Sequence, residues 1–145
     1  MGSDSTATRR MSAKVFLDTN VLIYALAANE PRSVIAEALL LKGGVVSVQV
    51  LNEFAAVARR KLGFSWPEVN TALREIRLLC DEPIALGVAI HDHAVGLAEQ
   101  HGLSVYDALI VAAAIAGRCE VLLSEDMQDG RRFDEGLRIE NPFAP

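Results

Sequence analysis

Short runs rich in aliphatic residues alternate with longer segments along most of the chain. Such runs stand at 14–17, 45–48, 120–123 and 137–140, with a weaker candidate at 83–86. Continuous apolar runs are typical of strands that are buried on both faces of a parallel sheet. Because they are separated by segments of ten or more residues with helical spacing, the pattern predicts an α/β fold with a mostly parallel sheet.

Caps and breakers predict where the helices begin and end. The first helix is expected to open at Val21, and the second to run from Pro31 to the glycines at 43–44. Ser65 and Glu68 have the spacing of a capping box at the start of another helix. The remaining helices are expected at 49–62, 65–80, 89–101 and 107–116. The last of these is apolar on every face, so it must pack against the sheet and either a neighbouring helix or a second subunit.

The length and composition indicate one compact domain. The chain has 145 residues, of which 51% are hydrophobic and 23% are charged. Residues 13–145 are therefore expected to form a single domain with a substantial core. Residues 1–12 are small, polar and weakly basic, and we expect them to be a disordered arm or a tag rather than a secretory signal.

The charge and cysteine content narrow the function classes. A net charge of −5 argues against a protein that coats nucleic acid nonspecifically, but it is compatible with an enzyme whose acids form a metal site. Cys80 and Cys119 are expected to be reduced thiols in a cytoplasmic protein. No apolar run reaches the roughly 18 residues that a membrane span requires. Arg131 and Arg132 are candidates for phosphate contacts, although surface charge is the more common role of such residues.

Four carboxylates fall near one edge of the predicted sheet. Ligands bind beyond the carboxyl ends of parallel strands, so residues just after each strand are candidates for chemistry. Asp18 follows the first strand, and Glu53 comes one helical turn after the second. Asp107 opens the apolar helix, and Asp126 follows the strand that ends before Ser124.

Each acid also has a purely structural interpretation. Asp18 or Asn20 can cap the first helix, and Asp107 stands three residues after Ser104, at capping-box spacing. Four carboxylates at one edge would nevertheless repel one another unless a cation compensated them. Hard oxygen ligands suit Mg²⁺ or Mn²⁺, and such an ion activates water for phosphodiester hydrolysis.

The four acidic segments resemble the four motifs of PIN domains. They are VFLDTNVL at 15–22, SVQVLNEF at 47–54, LSVYDALIVAAA at 103–114 and VLLSED at 121–126. The similarity extends from about Lys14 to Phe143, and the chain most resembles PIN-domain ribonucleases of the VapC toxin type. Each motif alone is weak, but the four in order are a specific signal.

The resemblance implies a three-layer α/β/α sandwich and Mg²⁺- or Mn²⁺-dependent endoribonuclease activity. It also implies homodimerisation and inhibition by a small cognate antitoxin of VapB type. Thr19 and Asn20 would line the site, Ser124 would orient Asp126 or a bound water, and Asp129 could share the role of Asp126 through a water. The implied catalytic metal ligands are Asp18, Glu53, Asp107 and Asp126.

Other functions stay open at this point. A receiver-type phosphoacceptor domain also carries acids at strand ends, but it uses a lysine after a late strand, and the lysines here are Lys14, Lys42 and Lys61. A PIN-like nuclease outside a toxin–antitoxin system, an inactive scaffold, and a DNA substrate are further alternatives. The aliphatic stretches at 21–28 and 34–41 would form either a groove for an antitoxin segment or ordinary core.

Overall fold

A computed structural model describes residues 13–133 and 136–145, so the arm or tag expected at residues 1–12 lies outside the described part of the chain. The described residues form six helices and three strands. These elements are β1 Val15–Leu17, α1 Thr19–Leu26, α2 Ser33–Lys42, α3 Val48–Arg60, α4 Trp66–Leu79, α5 Val88–His101, α6 Val105–Ala116, β2 Val121–Leu123 and β3 Arg138–Glu140.

The sheet is parallel and has β2 at its centre, in the order β1–β2–β3. Phe16 pairs with Leu122, which pairs with Ile139, and all three side chains are fully buried. Neighbouring residues of a strand point to opposite faces. Because Leu17 is buried as well as Phe16, both faces of the sheet are covered. This confirms the predicted α/β fold with helices on either side of a parallel sheet.

The strands predicted at 45–48 and 83–86 are wrong as continuous elements. The first run contributes only two isolated bridge residues, Val45 beside Phe16 of β1 and Ser47 beside Ile84, and Ile84 is the one bridge residue of the second run. The segment is short because Ser47 caps α3: its hydroxyl accepts a hydrogen bond from the Val50 N–H at 3.2 Å, and the chain turns helical at residue 48. Residues 45–47 still run parallel to β1, so α3 starts at the same sheet edge as the ends of β1 and β2.

All six predicted helices are present, and two of them begin two residues earlier than expected. Helix α1 starts at Thr19 because Asp18, in an extended conformation, caps it, and α6 starts at Val105 because Ser104 caps it. Helix α2 begins later, at Ser33 rather than Pro31. It ends at Gly43, whose φ of 80° favours glycine and where a side chain would meet the Leu79 carbonyl oxygen at 2.7 Å.

The core decides between the interpretations of the aliphatic segments. Residues 108–114 of α6 are buried within one chain, so this helix does not need a second subunit to cover it. Val21, Leu22 and Ile23 are also core residues, which excludes them as an open groove. In contrast, Val34 and Leu41 of α2 are 78% and 71% exposed.

Cys80 and Cys119 are free thiols, as expected, and burial raises the pKa of each to about 11. Among the described residues, no helix is long and apolar enough to cross a bilayer.

Candidate active site

One cleft at the carboxyl edge of the sheet collects all four predicted acids. It encloses about 520 Å³ and is walled mainly by the start of α1, one side of α3 and the start of α6. Its lining comprises the acids Asp18, Glu53, Asp107 and Asp126, the polar or aromatic residues Thr19, Asn20, Gln49, Arg60 and Tyr106, and the apolar residues Ala56, Val57 and Ile110. The carboxylates come from four separate elements or loops, so the fold itself brings them together.

Asp18 lies deepest, with only 4% of its surface exposed. One carboxylate oxygen accepts the Thr19 N–H at 2.7 Å, and the other accepts the Ser124 hydroxyl at 2.7 Å. Burial raises the pKa of Asp18 to about 6, against the lowering effect of these two hydrogen bonds, and the charges of Glu53 and Asp126 raise it further. The group is therefore a buried carboxylate whose negative charge is poorly compensated.

Two neighbours of Asp18 hold two of the other acids. The Thr19 hydroxyl donates to Glu53 Oε2 at 2.8 Å, and the Asn20 side-chain amide donates to Asp126 Oδ2 at 2.6 Å. The first turn of α1 thus carries one acid and orients two more. The expectation that Thr19 and Asn20 line the site agrees with this placement, and the structure adds a specific partner for each.

Asp107 occupies the first turn of α6 without closing a capping box. Its backbone N–H donates to the Ser104 hydroxyl at 3.1 Å, but among the described residues no bond runs from the Asp107 carboxylate to the Ser104 amide. Burial raises the pKa of Asp107, the Ser104 hydroxyl opposes that shift, and the charge of Asp126 adds to it. The carboxylate therefore faces the cleft instead of satisfying the helix end.

Ser124 serves a different acid from the expected one. The sequence spacing suggested that it orients Asp126, whereas its buried hydroxyl donates to Asp18 and accepts the Met127 N–H at 3.3 Å. The cause is strand register: Leu17 pairs with Leu123, so the residues that follow them meet across the sheet.

Asp129 is placed away from the other acids. Its carboxylate accepts the Asn141 N–H at 2.9 Å, and it does not line the cleft. The structure therefore gives no support to its sharing the role of Asp126.

Arg131 and Arg132, the two candidates for RNA contact, lie outside this cleft. Arg131 donates to the His101 carbonyl at 2.8 Å and lies over the Phe133 ring, and Arg132 forms a backbone bridge with Arg138. The cation that does line the cleft is Arg60. The sequence alone does not single out Arg60, because nothing in the basic run at 59–61 shows which member faces the acids.

Glu125 belongs to a separate cluster that the sequence did not reveal. Arg32 pairs with it at 2.8 Å, and the Tyr24 hydroxyl donates to it. The Arg32 guanidinium also lies 3.8 Å from the centre of the Tyr24 ring. Burial, aided by the hydrogen bond to Glu125, raises the pKa of Tyr24 to about 12. This cluster neutralises Glu125 and anchors the loop that carries Asp126.

The donor set of the cleft fits Mg²⁺ or Mn²⁺. All four candidate ligands are carboxylates, Asp18 is buried with its charge poorly compensated, and Arg60 is the one cation among the described residues of the lining. In the described chain, no three His, Cys, Asp or Glu side chains are close enough to form a ready-made cage. Such a cage is not required, because Mg²⁺ keeps several waters and binds through one or two carboxylates together with substrate phosphates.

Comparison with known families agrees with this arrangement. The PIN domain model matches residues 15–134, so the chain belongs to the PIN domain family. Because the chain is a PIN domain, the alternative interpretation as a receiver-type phosphoacceptor domain is excluded. Comparison with curated protein sequences gave no match.

Solved structures with the same fold include several toxins. VapC20 of Mycobacterium tuberculosis, a sarcin–ricin loop cleaving toxin, aligns with a TM-score of 0.64 and 20% identity over 78% of this chain and 92% of its own. A toxin–antitoxin complex from Klebsiella pneumoniae aligns with a TM-score of 0.67 and 20% identity, over 90% of this chain and 98% of its own. VapBC2 of Rickettsia felis, bound to a promoter DNA fragment, aligns with a TM-score of 0.63 and 24% identity, over 88% of this chain and 97% of its own. At these identities the likeness concerns the fold.

Proposed function

We propose that this protein is a Mg²⁺- or Mn²⁺-dependent endoribonuclease and the toxin of a VapBC-type toxin–antitoxin pair. The observation that carries the nuclease proposal is the convergence of four carboxylates in one cleft, beside the cation Arg60. A structural role does not account for them, because the hydrogen bonds inside the cleft orient the acids without neutralising them. The proposed metal ligands are Asp18, Glu53, Asp107 and Asp126.

In this proposal the residues of the chain hold and orient the acids. Ser124 and the Thr19 amide fix both oxygens of Asp18, while Asn20 fixes Asp126. The Thr19 hydroxyl occupies one oxygen of Glu53 and leaves the other open to a metal or a bound water. When bound, the metal supplies an acidified water as nucleophile and neutralises charge on the phosphate.

The toxin role rests on family membership and on the solved neighbours. These neighbours include a toxin and toxin–antitoxin complexes, and each alignment covers nearly the whole length of the neighbour's chain. In line with this, we propose a small antitoxin partner, a homodimer and a cytoplasmic location. The exposed aliphatic side chains of α2 are a candidate part of the antitoxin contact. A PIN nuclease outside a toxin–antitoxin system is the alternative, and copurification from the native host that yields no small partner would favour it.

The test is cleavage of a mixed RNA pool by the purified protein with Mn²⁺. EDTA and the Asp107→Asn variant serve as controls, since asparagine preserves the shape of the side chain and removes its charge. We expect the wild type to cut and both controls to be silent. If Asp107→Asn cuts as well as the wild type, Asp107 is not a metal ligand and the proposed site fails. Cleavage in EDTA would exclude metal dependence.

A further inference from the structure

Two side chains in the cleft have no role among the acids. Both Arg60 and Tyr106 line it, yet within residues 13–133 and 136–145 neither side chain has a hydrogen bond, ion pair or ring contact. Arg60 is exposed, and Tyr106 is 64% exposed. Both are therefore available to a ligand that enters the cleft.

Arg60 is placed to meet an anion beside the metal site rather than in it. It follows Glu53 by seven residues on α3, a distance of about 10 Å along the helix axis. Long helical side chains lean toward the N-terminus, which here is the direction of Glu53. Its neighbour Arg59 is already engaged, since it donates to the Phe64 carbonyl at 2.9 Å and lies over the Trp66 ring.

Tyr106 presents an aromatic ring next to the acids. It directly precedes Asp107 in the first turn of α6, so it lies beside a proposed metal ligand. Between the two helices the cleft lining is apolar, with Ala56 and Val57 on α3 and Ile110 on α6. An exposed aromatic ring in a cleft that also has apolar lining suits a nucleobase, whereas a guanidinium fork suits a phosphate.

We propose that Arg60 and Tyr106 form a nucleotide subsite for single-stranded RNA, with Arg60 binding a backbone phosphate adjacent to the cleaved one and Tyr106 stacking on an unpaired base. The subsite rests on the proposed nuclease function and narrows its substrate class. A base must leave its stack before a side chain can cover its face, so a single strand or loop fits and a continuous duplex does not.

The test measures RNA binding apart from cleavage. In the Asp107→Asn background with Mn²⁺, fluorescence anisotropy follows a 12-nucleotide oligouridylate and a 12-base-pair RNA duplex over a series of salt concentrations. The variants are Arg60→Ala, Tyr106→Ala and Tyr106→Phe. Arg77→Ala is the matched control, because Arg77 is an exposed arginine on α4 that lies outside the cleft.

Each variant has a distinct expected signature. Arg60→Ala should weaken oligouridylate binding about 10-fold and reduce the steepness of its salt dependence by about 0.7, the value for one phosphate contact on a single strand. Tyr106→Ala should weaken oligouridylate binding on the order of 5- to 100-fold and remove the preference of the protein for the oligouridylate over the duplex. Tyr106→Phe should keep both the affinity and the preference, because its aromatic ring can still stack. Arg77→Ala should match the parent.

Several results would overturn the subsite. They are an unchanged salt dependence in Arg60→Ala, an unchanged affinity in Tyr106→Ala, and a parent that binds the duplex as tightly as the oligouridylate or binds neither probe. The proposed nuclease function is judged separately, by whether the wild type cuts RNA with Mn²⁺. It survives if cleavage occurs while these variants bind normally.

Discussion

Two helices of this protein begin with the same sequence signature and use it differently. Helix α4 begins with Ser65 and Glu68, and α6 with Ser104 and Asp107, a serine and an acid three residues apart in each case. At α4 both halves of the capping box form: the Glu68 carboxylate accepts the Ser65 N–H at 2.9 Å and the Glu68 N–H donates to the serine hydroxyl. At α6 only the serine half forms.

The electrostatic consequences are opposite. Hydrogen bonding to the Ser65 amide lowers the pKa of Glu68, so the helix start stabilises its charge. Burial raises the pKa of Asp107, and the charge of Asp126 adds to this shift; the Ser104 hydroxyl opposes it only in part, so the fold disfavours the charge of Asp107. An acid that forgoes an available cap and points into a cleft with other acids is available to bind a cation. The comparison separates a structural carboxylate from a functional one in the same local motif.

The largest expected effect is a crossed result between these two acids. Asp107→Asn should reduce RNA cleavage with Mn²⁺ by a factor on the order of 1000, because it removes a charge that binds the metal. Glu68→Gln should leave cleavage unchanged, since glutamine also completes a capping box. The measurement is the initial cleavage rate of each variant at saturating Mn²⁺. Equal losses of cleavage activity in the two variants would contradict the distinction between a structural acid, Glu68, and a functional acid, Asp107.

A second prediction concerns an adjacent pair of acids, Glu125 and Asp126. Glu125 pairs with the charged Arg32 at 2.8 Å, whereas within the described residues the hydrogen-bond partner of the Asp126 carboxylate is the neutral amide of Asn20. Asn20→Ala should therefore weaken Mn²⁺ binding about 10- to 100-fold, the usual cost of removing a group that orients a metal ligand. Calorimetric titration with Mn²⁺ measures it. Asn70→Ala, at an exposed position on α4, is the control and should bind Mn²⁺ normally.

The sequence predicted that the four acids lie at one edge of the sheet, and the structure places them in one cleft. A strand end or a helix start marks Asp18, Asp107 and Asp126, and the order of strands brings those ends to one edge. What the sequence did not predict was pairing across the fold. Ser124 bonds to Asp18 because of the register between β1 and β2, and that register is not visible in either strand alone.

The extent of the sheet was the other error. The run at 45–48 reads as a strand by composition, yet the cap at Ser47 ends it early. A local hydrogen bond of this kind overrides β-propensity, and sequence patterns cannot rank the two. The same limit applies to Arg60: the helix repeat places it on the face of Glu53, but only the packed structure shows that Arg59 is engaged elsewhere.

The burial of the Asp18 carboxylate can be tested through its effect on the stability of the protein. Its pKa is raised to about 6, above the ordinary value of 3.8, so the folded state binds a proton more tightly than the unfolded state. The ionised form therefore costs stability above pH 6, and that cost fades as the pH falls toward 4. Without metal at pH 7, Asp18→Asn should raise the free energy of unfolding by about 1 to 2 kcal/mol.

Mn²⁺ should make the wild type more stable than Asp18→Asn. A ligand that binds the folded state raises the free energy of unfolding more when it binds more tightly, and Asp18→Asn lacks one metal ligand, so it should gain less. Urea unfolding of both proteins with EDTA and with Mn²⁺ measures the two differences. A variant that is less stable than the wild type in EDTA at pH 7 would show that the two hydrogen bonds of Asp18 outweigh its burial cost.

The smallest expected effect compares the two capping serines. Each hydroxyl accepts one N–H of its helix, so Ser65→Ala and Ser104→Ala should each lower the free energy of unfolding by about 1 kcal/mol.

The Mn²⁺ dependence of RNA cleavage should differ between these two variants. The Ser104 hydroxyl lowers the pKa of Asp107, so its loss raises that pKa further and should increase the Mn²⁺ concentration needed for half-maximal cleavage, most clearly at acidic pH. Ser65→Ala has no such connection to the cleft and should keep the wild-type Mn²⁺ dependence. If both variants shift that dependence equally, the helix starts influence the cleft through general stability, and the distinction between them is confined to Asp107 itself.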